Sequence, residues 1–546
     1  MTEIGLNIIP KPIKINILEG FSKFGQSTKI FFNSTLEKFA NFVFQYAKEI
    51  LDLDLIIYKV DDIEKYKDQN GLFLNLIDLD KIDNAKDKET LSKTNAYILL
   101  INNDKILIYS VSENGLFYGI QTIRQIFYNL KFKNKNCNLY EISNLKIEDF
   151  PKYEWRGVML DEARHFQGKQ TILKILDLMA LLKLNKFHWH LSDDQGWRIE
   201  IKSYPKLHQI GSKRNNTQFG GYLSKKFEDK PHEGYYNKED IKEIINYAKE
   251  RFIEIIPEID MPGHSMAALA AYPEFSCKGK GIEVSTTFGI KKDVYCIGNE
   301  NTFVFLQNIL KEIFEIFPSN YIHIGGDEVP LDRWKSCEKC QKKLQELNSK
   351  DERDLQRYFT QKMCKFILEN NKIPIGWNEI LTEDYASLDS NIIVQYWMRK
   401  NNLVKKHMKN GRKFIISKFG SLYFDYNYFL TPLKKVYKFN PCFKGLSKNT
   451  CKNILGMECT IWTEWIYNER RLFWQLFPRL FAVSEICWID FKNRDYTDFE
   501  KRLPLFNKIL DKLGINYEKI ENVNPKFFSR ISKIIRLKII NPYGGI

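Results

Sequence analysis

The sequence predicts a (β/α)8 TIM barrel as the main domain, preceded by a smaller α+β domain. The 546 residues are too many for one ordinary domain, and 44% of them are hydrophobic, which is enough for a sizeable core. From about residue 149 onward, eight short apolar segments alternate with segments of helical apolar spacing, as a closed barrel requires. An open doubly wound sheet is the alternative, but no Gly-x-Gly-x-x-Gly motif opens a helix after the first of these segments.

The first predicted domain, residues 1–148, opens with an extended stretch. Each proline of Ile9-Pro10-Lys11-Pro12 biases the residue before it away from helix. Apolar spacing then predicts helices over 36–51 and 115–130, and a hairpin over 96–110 that turns near Asn102-Asn103-Asp104. Few candidate catalytic groups occur here, so we expect this domain to be a scaffold.

The second predicted domain, residues 149–495, contains the barrel. Its strands are expected at 157–160, 186–191, 253–259, 321–325, 374–377, 392–397, 413–417 and 454–460. Its clearest helices are expected at 169–182, 238–251, 302–317 and 354–370. Residues 496–546 are predicted to form a C-terminal helical extension or tail, with a helix expected over 503–513 and a helix or strand packed on the barrel over 525–546.

The charge balance is basic, since 83 Lys and Arg residues face 68 Asp and Glu residues and give a formal net charge of +15. The lysines are scattered along the chain, without a long basic run, so a solvated surface is expected rather than a nucleic-acid partner. No apolar run is long enough to predict a membrane-spanning helix. The first residues lack a secretory signal pattern, so a cytoplasmic protein is expected, or a secreted one if the gene start is incomplete.

The 10 cysteines are spread along the chain and, without an export signal, are expected to be thiols rather than disulfides. Cys337-x-x-Cys340 has the spacing of half a zinc site. No second Cys-x-x-Cys or His-x-x-x-His pair lies nearby in the sequence. We therefore expect neither a structural metal ion nor a cofactor.

Carboxylates, histidines and tryptophans follow nearly every predicted barrel strand at its C-terminal end, where barrel active sites are built. From the first strand to the eighth they are Asp161 and Arg164, with Arg156 at the start of that strand; His188-Trp189-His190 and Asp193-Asp194; Glu258, Asp260 and His264; Asp327-Glu328; Trp377-Asn378-Glu379; Gln395 and Trp397; Tyr423 and Asp425; and Trp462 and Glu464. Eight sets in register are hard to explain as core residues, so they predict an active site.

The fourth strand end, His323-Ile324-Gly325-Gly326-Asp327-Glu328, is the centre of this pattern. Two glycines let the backbone turn tightly or let a ligand come close. Two adjacent carboxylates can face one small molecule from different sides, and like charges at short distance raise one pKa. A raised pKa suits a general acid near neutral pH. Taken alone, an Asp-Glu pair here is more typical of a helix start.

The whole set of strand-end residues suits a carbohydrate site, because sugar faces stack on Trp and hydroxyl groups bind Asp, Glu and Arg. The competing interpretation is that His188, His190 and Asp193 bind a metal. Since both histidines lie on one face of a strand and neither belongs to a His-x-x-x-His helix pair, we do not expect a metal here.

Several of these motifs closely resemble those of the family 20 glycoside hydrolases, the β-N-acetylhexosaminidases. They are His188-Trp189-His190-Leu191-Ser192-Asp193-Asp194-Gln195-Gly196-Trp197-Arg198, His323-Ile324-Gly325-Gly326-Asp327-Glu328, Arg156-Gly157-x-x-x-Asp161, Glu258-Ile259-Asp260-Met261-Pro262-Gly263-His264, Gly376-Trp377-Asn378-Glu379 and Trp462-Thr463-Glu464. The opening Ile8-Ile9-Pro10-Lys11-Pro12 resembles the start of that family's N-terminal α+β domain. The resemblance covers about residues 5–490.

The resemblance implies exo-hydrolysis of terminal β-linked N-acetylglucosamine or N-acetylgalactosamine by a retaining, substrate-assisted mechanism. In this mechanism the 2-acetamido oxygen of the substrate attacks C1 and forms an oxazolinium ion. Glu328 is then the general acid and later the base, Asp327 orients the acetamido nitrogen, and Tyr423 binds the acetamido oxygen. Neighbouring carboxylates and apolar Trp side chains are expected to keep Glu328 protonated in the free enzyme, while Asp327 stays ionised.

The other implied roles concern binding and support. Trp377, Trp397 and Trp462 surround the acetyl group and the sugar; Arg156 and Glu464 bind the O3 and O4 hydroxyls; Asp425 binds O4 and O6; and Asp193 and His264 form a network that tunes Glu328. Many secreted members pair cysteines in the loop held here by Cys277 and Cys296, and that pairing stays open.

Two other function classes compete with this one. A sugar-binding pseudoenzyme would be expected to have lost Asp327 or Glu328, and a basic nucleic-acid binder would carry a recognition motif. The sequence leaves open the choice between the two amino sugars, the linkage, the role of the tail, and whether the protein is a monomer or a homodimer.

Overall fold

The computed structural model describes residues 6–134 and 137–526. Its chain contacts divide into two units. One unit takes the described residues up to Glu154 together with Asp177–Leu184 and Ser484–Ile515, and the other takes Trp155–Leu176, Asn185–Val483 and the described residues from Asn516. The predicted tail over 525–546 lies almost wholly outside the described residues, and the predicted boundaries at 148 and 495 stay predictions.

The N-terminal unit contains a mixed seven-stranded sheet. From one edge to the other its strands are Lys14–Gly25, Leu139–Asp149, Tyr97–Asn102, Lys105–Ser110, Gly71–Leu76, Lys29–Phe32 and Ile56–Lys59. Its α-helices are Glu37–Tyr46, Ala85–Leu91, Glu113–Lys133 and Tyr496–Lys512. The first of these continues as a π-helix over Ala47–Leu51. The predicted hairpin is confirmed, with its turn at Asn103 and Asp104 in the left-handed region.

The long helix of this unit packs closely on the hairpin because two glycines face it. A Cβ on Gly115 would lie 2.2 Å from the carbonyl oxygen of Ala96, and one on Gly119 would lie 2.5 Å from the Ile108 side chain. Since both positions lack a side chain, the helix backbone approaches the strands directly. The predicted helix over 115–130 is confirmed and is longer than expected.

The second unit contains a closed barrel of eight parallel strands, which confirms the predicted fold class. In chain order the strands are Trp155–Asp161, Lys186–His190, Glu254–Glu258, Tyr321–His323, Ile373–Trp377, Ile393–Tyr396, Phe414–Ile416 and Ile454–Ile461. The longer helices of the barrel region are Lys169–Leu181, Lys238–Glu250, Glu300–Ile316, Glu338–Glu346, Arg353–Glu369, Asn401–Lys409, Glu469–Leu476 and Arg479–Trp488. Shorter helices are Lys206–Gln209, Met266–Ala271, Asp332–Lys335 and Leu433–Tyr437.

The fourth strand is shorter than expected. It ends at His323 rather than at residue 325, because Gly325 and Gly326 have φ values of 65° and 90° and cannot continue an extended strand. Three short antiparallel strand pairs between the second and third strands were not predicted. They join Ser192–Asp193 to Gly196–Trp197, Lys213–Arg214 to His232–Glu233, and Thr217–Phe219 to Lys226–Glu228.

The barrel interior changes from apolar to polar along its axis. Near the N-terminal ends of the strands, a buried cluster contains Trp155, Ile256, Ile375, Ile393 and Ile415. Side chains two positions apart share one face of a strand, so Glu258, Trp377 and Gln395 follow three of these residues on the inner face. The polar layer therefore lies directly below the C-terminal rim.

The cysteines depart from the expectation that all are thiols, because Cys442 and Cys451 form a disulfide. Their Cα atoms lie 5.6 Å apart, within the range that a disulfide can span. The eight other cysteines are unbridged. The sulfur atoms of four of them lie close to one another: Cys277, Cys296, Cys337 and Cys340. No helix among residues 6–134 and 137–526 is long and apolar enough to cross a membrane.

Candidate active site

A cavity of about 530 Å³ opens at the C-terminal ends of the barrel strands. Its size falls in the range of small-molecule sites. The lining residues are Arg164, Tyr222, Leu223, His264, Phe288, Gly289, Ile290, Asp327, Glu328, Trp397, Met398, Arg399, Phe419, Tyr423, Asp425, Tyr426, Trp462 and Glu464. Eight of the eleven residues predicted for the site are among them; Arg156, Asp193 and Trp377 are not.

The two adjacent carboxylates project from a tight turn after the fourth strand. A Cβ on Gly325 would lie 1.8 Å from Oδ1 of Asp260, so only glycine fits there. Gly326 donates its backbone N–H to the same Asp260 oxygen at 3.2 Å. Glu328 has a φ of 50°, which is uncommon for a residue with a side chain and is typical of functional turns. The turn therefore fixes both carboxylates at the cavity.

The two carboxylates have different environments. The Asp327 side chain is 11% exposed, whereas that of Glu328 is 36% exposed. Burial, opposed by His264 and reinforced by Glu328, raises the pKa of Asp327 to about 6. The expectation that Asp327 stays ionised therefore holds only above about pH 6. Oδ1 of Asp327 is buried and has no hydrogen-bond partner among the described residues, so it is free to accept a bond from a ligand.

His264 links the carboxylate pair to a buried chain of polar groups. Its Nε2 lies 3.9 Å from both Asp327 and Glu328, and its Nδ1 lies 3.1 Å from Oδ1 of Asp193. The other oxygen of Asp193 lies 3.0 Å from Nε2 of His190. Although burial acts in the opposite direction, Asp193 raises the pKa of His264 well above its usual range. A cationic His264 thus stands beside both carboxylates. Asp193 and His264 are in contact, and their predicted tuning of Glu328 stays a prediction.

Glu258 is a buried carboxylate that contacts the same series of polar groups through His190. It accepts hydrogen bonds from Nδ1 of His190 at 2.5 Å and Nε1 of Trp377 at 2.9 Å. Nδ1 of His323 lies 2.8 Å from Glu258 and accepts the backbone N–H of Gly325 at 3.0 Å. Nε2 of His188 lies 3.0 Å from the Glu258 carboxylate. Although burial raises it, the three histidines hold the pKa of Glu258 well below its usual range. Trp377 is fully buried by this arrangement and lies 5.9 Å from the Trp462 ring, so it supports the cavity from below.

Two stacked aromatic rings form one side of the cavity. The Trp397 and Tyr423 rings lie 5.9 Å apart with an interplanar angle of 21°. Nε1 of Trp397 donates to both oxygens of Glu379, at 3.0 and 2.9 Å. Burial, together with the charge of Asp327, raises the pKa of Glu379 to about 8. Glu379 thus fixes the Trp397 ring, a role that the sequence did not suggest.

The cavity lining also carries polar groups suited to hydroxyls. Arg164 lies 2.8 Å from Asp193 and places its guanidinium 4.9 Å from the Trp462 ring. The Tyr222 hydroxyl donates to Glu464 at 3.3 Å. Tyr222 lies in the loop between the short strands Thr217–Phe219 and Lys226–Glu228. Burial and the nearby Glu464 raise the pKa of Asp425 well above its usual range. Oδ1 of Asp425 is buried and has no hydrogen-bond partner within the described part of the chain.

The structure does not bring Arg156 to the cavity, and Arg164 lies there instead. Arg156 is fully buried, and its backbone N–H donates to Asn185, which precedes the second strand. It therefore lies at the opposite end of the barrel from the cavity. Five residues separate Arg156 from the C-terminal end of its strand at Asp161, a distance of about 17 Å in an extended chain. Arg164 follows that end and lines the cavity.

Several polar groups lie close enough together to hold a metal ion. Besides the four cysteines, they are four sets around the carboxylate–histidine chain: His188 with Glu258 and His323; His190 with Glu258 and Asp260; Asp193 with Asp194 and His264; and Asp260 with His264 and Asp327. In the first two sets, Nδ1 of His188 and both nitrogens of His190 already contact carboxylates. These contacts account for both nitrogens of His190 without a metal.

Comparisons with known proteins agree with this fold. Residues 153–490 match the family model described as glycosyl hydrolase family 20, catalytic domain, and residues 5–150 match its domain 2. A beta-hexosaminidase of Porphyromonas gingivalis is 34% identical over 94% of this chain, and the match spans 64% of that relative's length. A beta-hexosaminidase of Akkermansia muciniphila is 32% identical over 80% of this chain and 88% of its own length.

The crystal structure of a GH20 exo β-N-acetylglucosaminidase from Vibrio harveyi, in complex with N-acetylglucosamine, has a TM-score of 0.80 at 27% identity. The match covers 95% of this chain and 80% of the Vibrio harveyi chain. The β-N-acetylhexosaminidase of Bacteroides fragilis has a TM-score of 0.78 at 27% identity, covering 96% and 98% of the two chains. The chain therefore belongs to glycosyl hydrolase family 20.

Proposed function

We propose that this chain is an exo-acting β-N-acetylhexosaminidase, which removes a terminal β-linked N-acetylglucosamine or N-acetylgalactosamine. The observation that carries the proposal is the pair of buried, unpartnered acceptors, Oδ1 of Asp327 and Oδ1 of Asp425, in one aromatic cavity. Each needs a donor from a ligand. A sugar that carries an acetamido N–H and a hydroxyl on opposite parts of its ring supplies both.

In the proposed mechanism the 2-acetamido group of the substrate supplies the nucleophile. The acetamido oxygen attacks C1, the glycosidic bond breaks, and Glu328 gives its proton to the leaving oxygen. An oxazolinium ion remains. Glu328, now a carboxylate, takes a proton from water as that water attacks C1, which regenerates the acid and releases the sugar with retained configuration. The half-exposed position of Glu328 gives it access to the leaving group and to water.

Asp327 is the proposed partner of the acetamido nitrogen. Its orphan oxygen accepts the N–H, and its negative charge stabilises the positive charge that develops on the oxazolinium ring. Because the charge exists only after attack has begun, this interaction is stronger in the transition state than in the bound substrate. Tyr423 donates to the acetamido oxygen, and the stacked Trp397 ring keeps the acetyl methyl group between apolar surfaces.

Arg164, Asp425 and Glu464 are the proposed ligands of the sugar hydroxyls at O3, O4 and O6. Trp462, which lies against Arg164, supplies an apolar surface for the sugar face. Leu223, Ile290 and Phe419 also line the cavity and are exposed large apolar residues. They form a rim that suits the group beyond the scissile bond, so we assign the leaving sugar or aglycone to this rim.

The first test is hydrolysis of p-nitrophenyl N-acetyl-β-glucosaminide and the corresponding galactosaminide, beside the plain p-nitrophenyl β-glucoside. Hydrolysis of the N-acetyl substrates only is expected, because the glucoside has no acetamido oxygen. A Glu328→Gln variant should lose on the order of 10²–10⁴ in rate. Equal hydrolysis of glucoside and glucosaminide would mean that an enzyme carboxylate is the nucleophile, and the proposed mechanism would fail.

A further inference from the structure

Four cysteines from three separate segments meet outside the sugar site. Sγ of Cys296 lies 3.7 Å from Sγ of Cys337 and 3.7 Å from Sγ of Cys340, and Sγ of Cys277 lies 3.8 Å from Sγ of Cys340. All four sulfurs lie within 4.8 Å of one another. Cys296 and Cys340 are buried, and the other two are half-buried.

These separations are those of a tetrahedral tetrathiolate centre. With Zn–S bonds of about 2.3 Å, the sulfurs of a regular tetrahedron lie about 3.8 Å apart. A disulfide would bring two sulfurs to about 2.05 Å and leave its partners farther away. Three of the sulfur–sulfur separations are instead 3.7–3.8 Å and all lie within 4.8 Å, which suits one central ion rather than two bridges.

The backbone around the sulfurs is shaped for the same purpose. A Cβ on Gly298 would lie 2.1 Å from the backbone of Lys339, so the loop after Cys296 touches the turn between Cys337 and Cys340 directly. The backbone of Gly298 also forms hydrogen bonds with Cys296 and Cys340. Backbone N–H groups pointing at sulfur stabilise thiolates, the form in which cysteine binds a metal.

Four thiolates and one Zn²⁺ carry a net charge of −2, so a dication offsets half of the thiolate charge at the cluster. Binding would release a proton from each thiol that is protonated beforehand, with no change in oxidation state.

We propose that Cys277, Cys296, Cys337 and Cys340 bind one structural zinc ion. The ion closes the loop between Cys277 and Cys296, which carries Phe288, Gly289 and Ile290 to the cavity. It ties that loop to the helix Glu338–Glu346, in whose first turn Cys340 lies. The expectation that Cys337-x-x-Cys340 lacks a second pair is thereby revised, since Cys277 and Cys296 supply it from a distant part of the sequence.

Metal analysis of the full chain, purified under reducing conditions without added chelator, is the first experiment. About one zinc per chain is expected in the wild type. Cys337→Ser and Cys277→Ser should lose most of it, whereas Cys137→Ser, a matched half-buried cysteine outside the cluster, should keep it. Iron in place of zinc, or no metal in the wild type, would overturn the proposal.

A second measurement uses the wild-type chain alone, so it does not depend on how well a variant folds. Cobalt(II) substitution should produce the intense visible absorption bands of a tetrahedral thiolate complex, and added zinc should abolish them. A mass lower by two hydrogens for each pair of these cysteines, together with no cobalt bands, would identify disulfides instead and overturn the proposal.

The consequence for the loop can be read without any activity assay. After zinc is removed by a chelator, limited proteolysis should cut within residues 277–296 many times faster than in the zinc-loaded chain. Restoring zinc should restore protection. An unchanged cleavage rate at the loop would show that the ion does not hold it. Because none of these readouts measures hydrolysis of a sugar substrate, the zinc proposal and the proposed function can fail separately.

Discussion

Replacing Asp327 with Asn is expected to stabilise the protein while removing its activity. Asp327 has a pKa of about 6 in the folded chain, against a usual value of 3.8. Folding therefore opposes ionisation of this carboxyl. At 1.36 kcal/mol for each pKa unit, the difference amounts to a penalty of about 3 kcal/mol on the folded state once the group is ionised.

The sign of the effect fixes its pH dependence. A raised carboxyl pKa means that the folded state binds more protons than the unfolded state between the two values. Stability is therefore lost as pH rises from about 4 to about 6, and the full penalty acts above that range. Asn cannot ionise, so Asp327→Asn should exceed the wild type in stability by up to about 3 kcal/mol near pH 7, and by almost nothing near pH 4.

Scanning calorimetry of both proteins across this pH range measures the effect as a difference in melting temperature. Asp351→Asn is the control, because Arg353 lowers the pKa of that exposed carboxyl and the sign of its small effect is opposite. A melting temperature for Asp327→Asn equal to or below that of the wild type near neutral pH would refute the reasoning. So would a difference that persists unchanged in acid.

Three further predictions concern activity. In the wild type kcat/KM should fall below about pH 6, where Asp327 becomes protonated, and His264→Gln should move this limb to higher pH because the positive His264 lowers the pKa of Asp327. An acidic limb that does not move would separate His264 from Asp327. Arg164→Lys should raise KM by about 10–100-fold, because charge-assisted hydrogen bonds to the sugar hydroxyls are lost. Arg156→Lys should raise KM less. A larger rise for Arg156→Lys would support the prediction that Arg156 binds the hydroxyls. Glu379→Leu should lower kcat/KM far more than Glu379→Gln, because Gln still accepts from Nε1 of Trp397. Equal losses would show that Glu379 does not act through the Trp397 ring.

Much of the barrel could be predicted because its strands are short apolar runs whose ends carry the functional groups. The expected strands agree with the observed ones to within two residues at each end, as with Lys186–His190 and Glu254–Glu258. Asp327, Glu328 and His264 follow strand ends in the sequence, so a barrel brings them together whatever the details of packing.

The errors arose where the sequence alone does not give distance along the barrel axis. Arg156 and Arg164 both belong to the first strand region, and only the strand's length places one below the core and the other at the rim. Tyr222 lies in the loop between two short strands that were not predicted, so no strand-end rule finds it. The cysteine cluster was missed because 41 residues separate Cys296 from Cys337, and only the folded loops close that gap.

The position of Glu258 among three histidines and a tryptophan has a consequence for how this site can change through mutation. Nitrogens of His188, His190, His323 and Trp377 all lie within 3.0 Å of this one carboxylate, so removing it would disturb several buried polar groups at once. Effects of substitutions within such a set are not additive, since each residue's value depends on the others being present. Any single substitution in this set is thus expected to reduce stability or activity, whichever residue changes first. We expect the five residues to be kept together or replaced together.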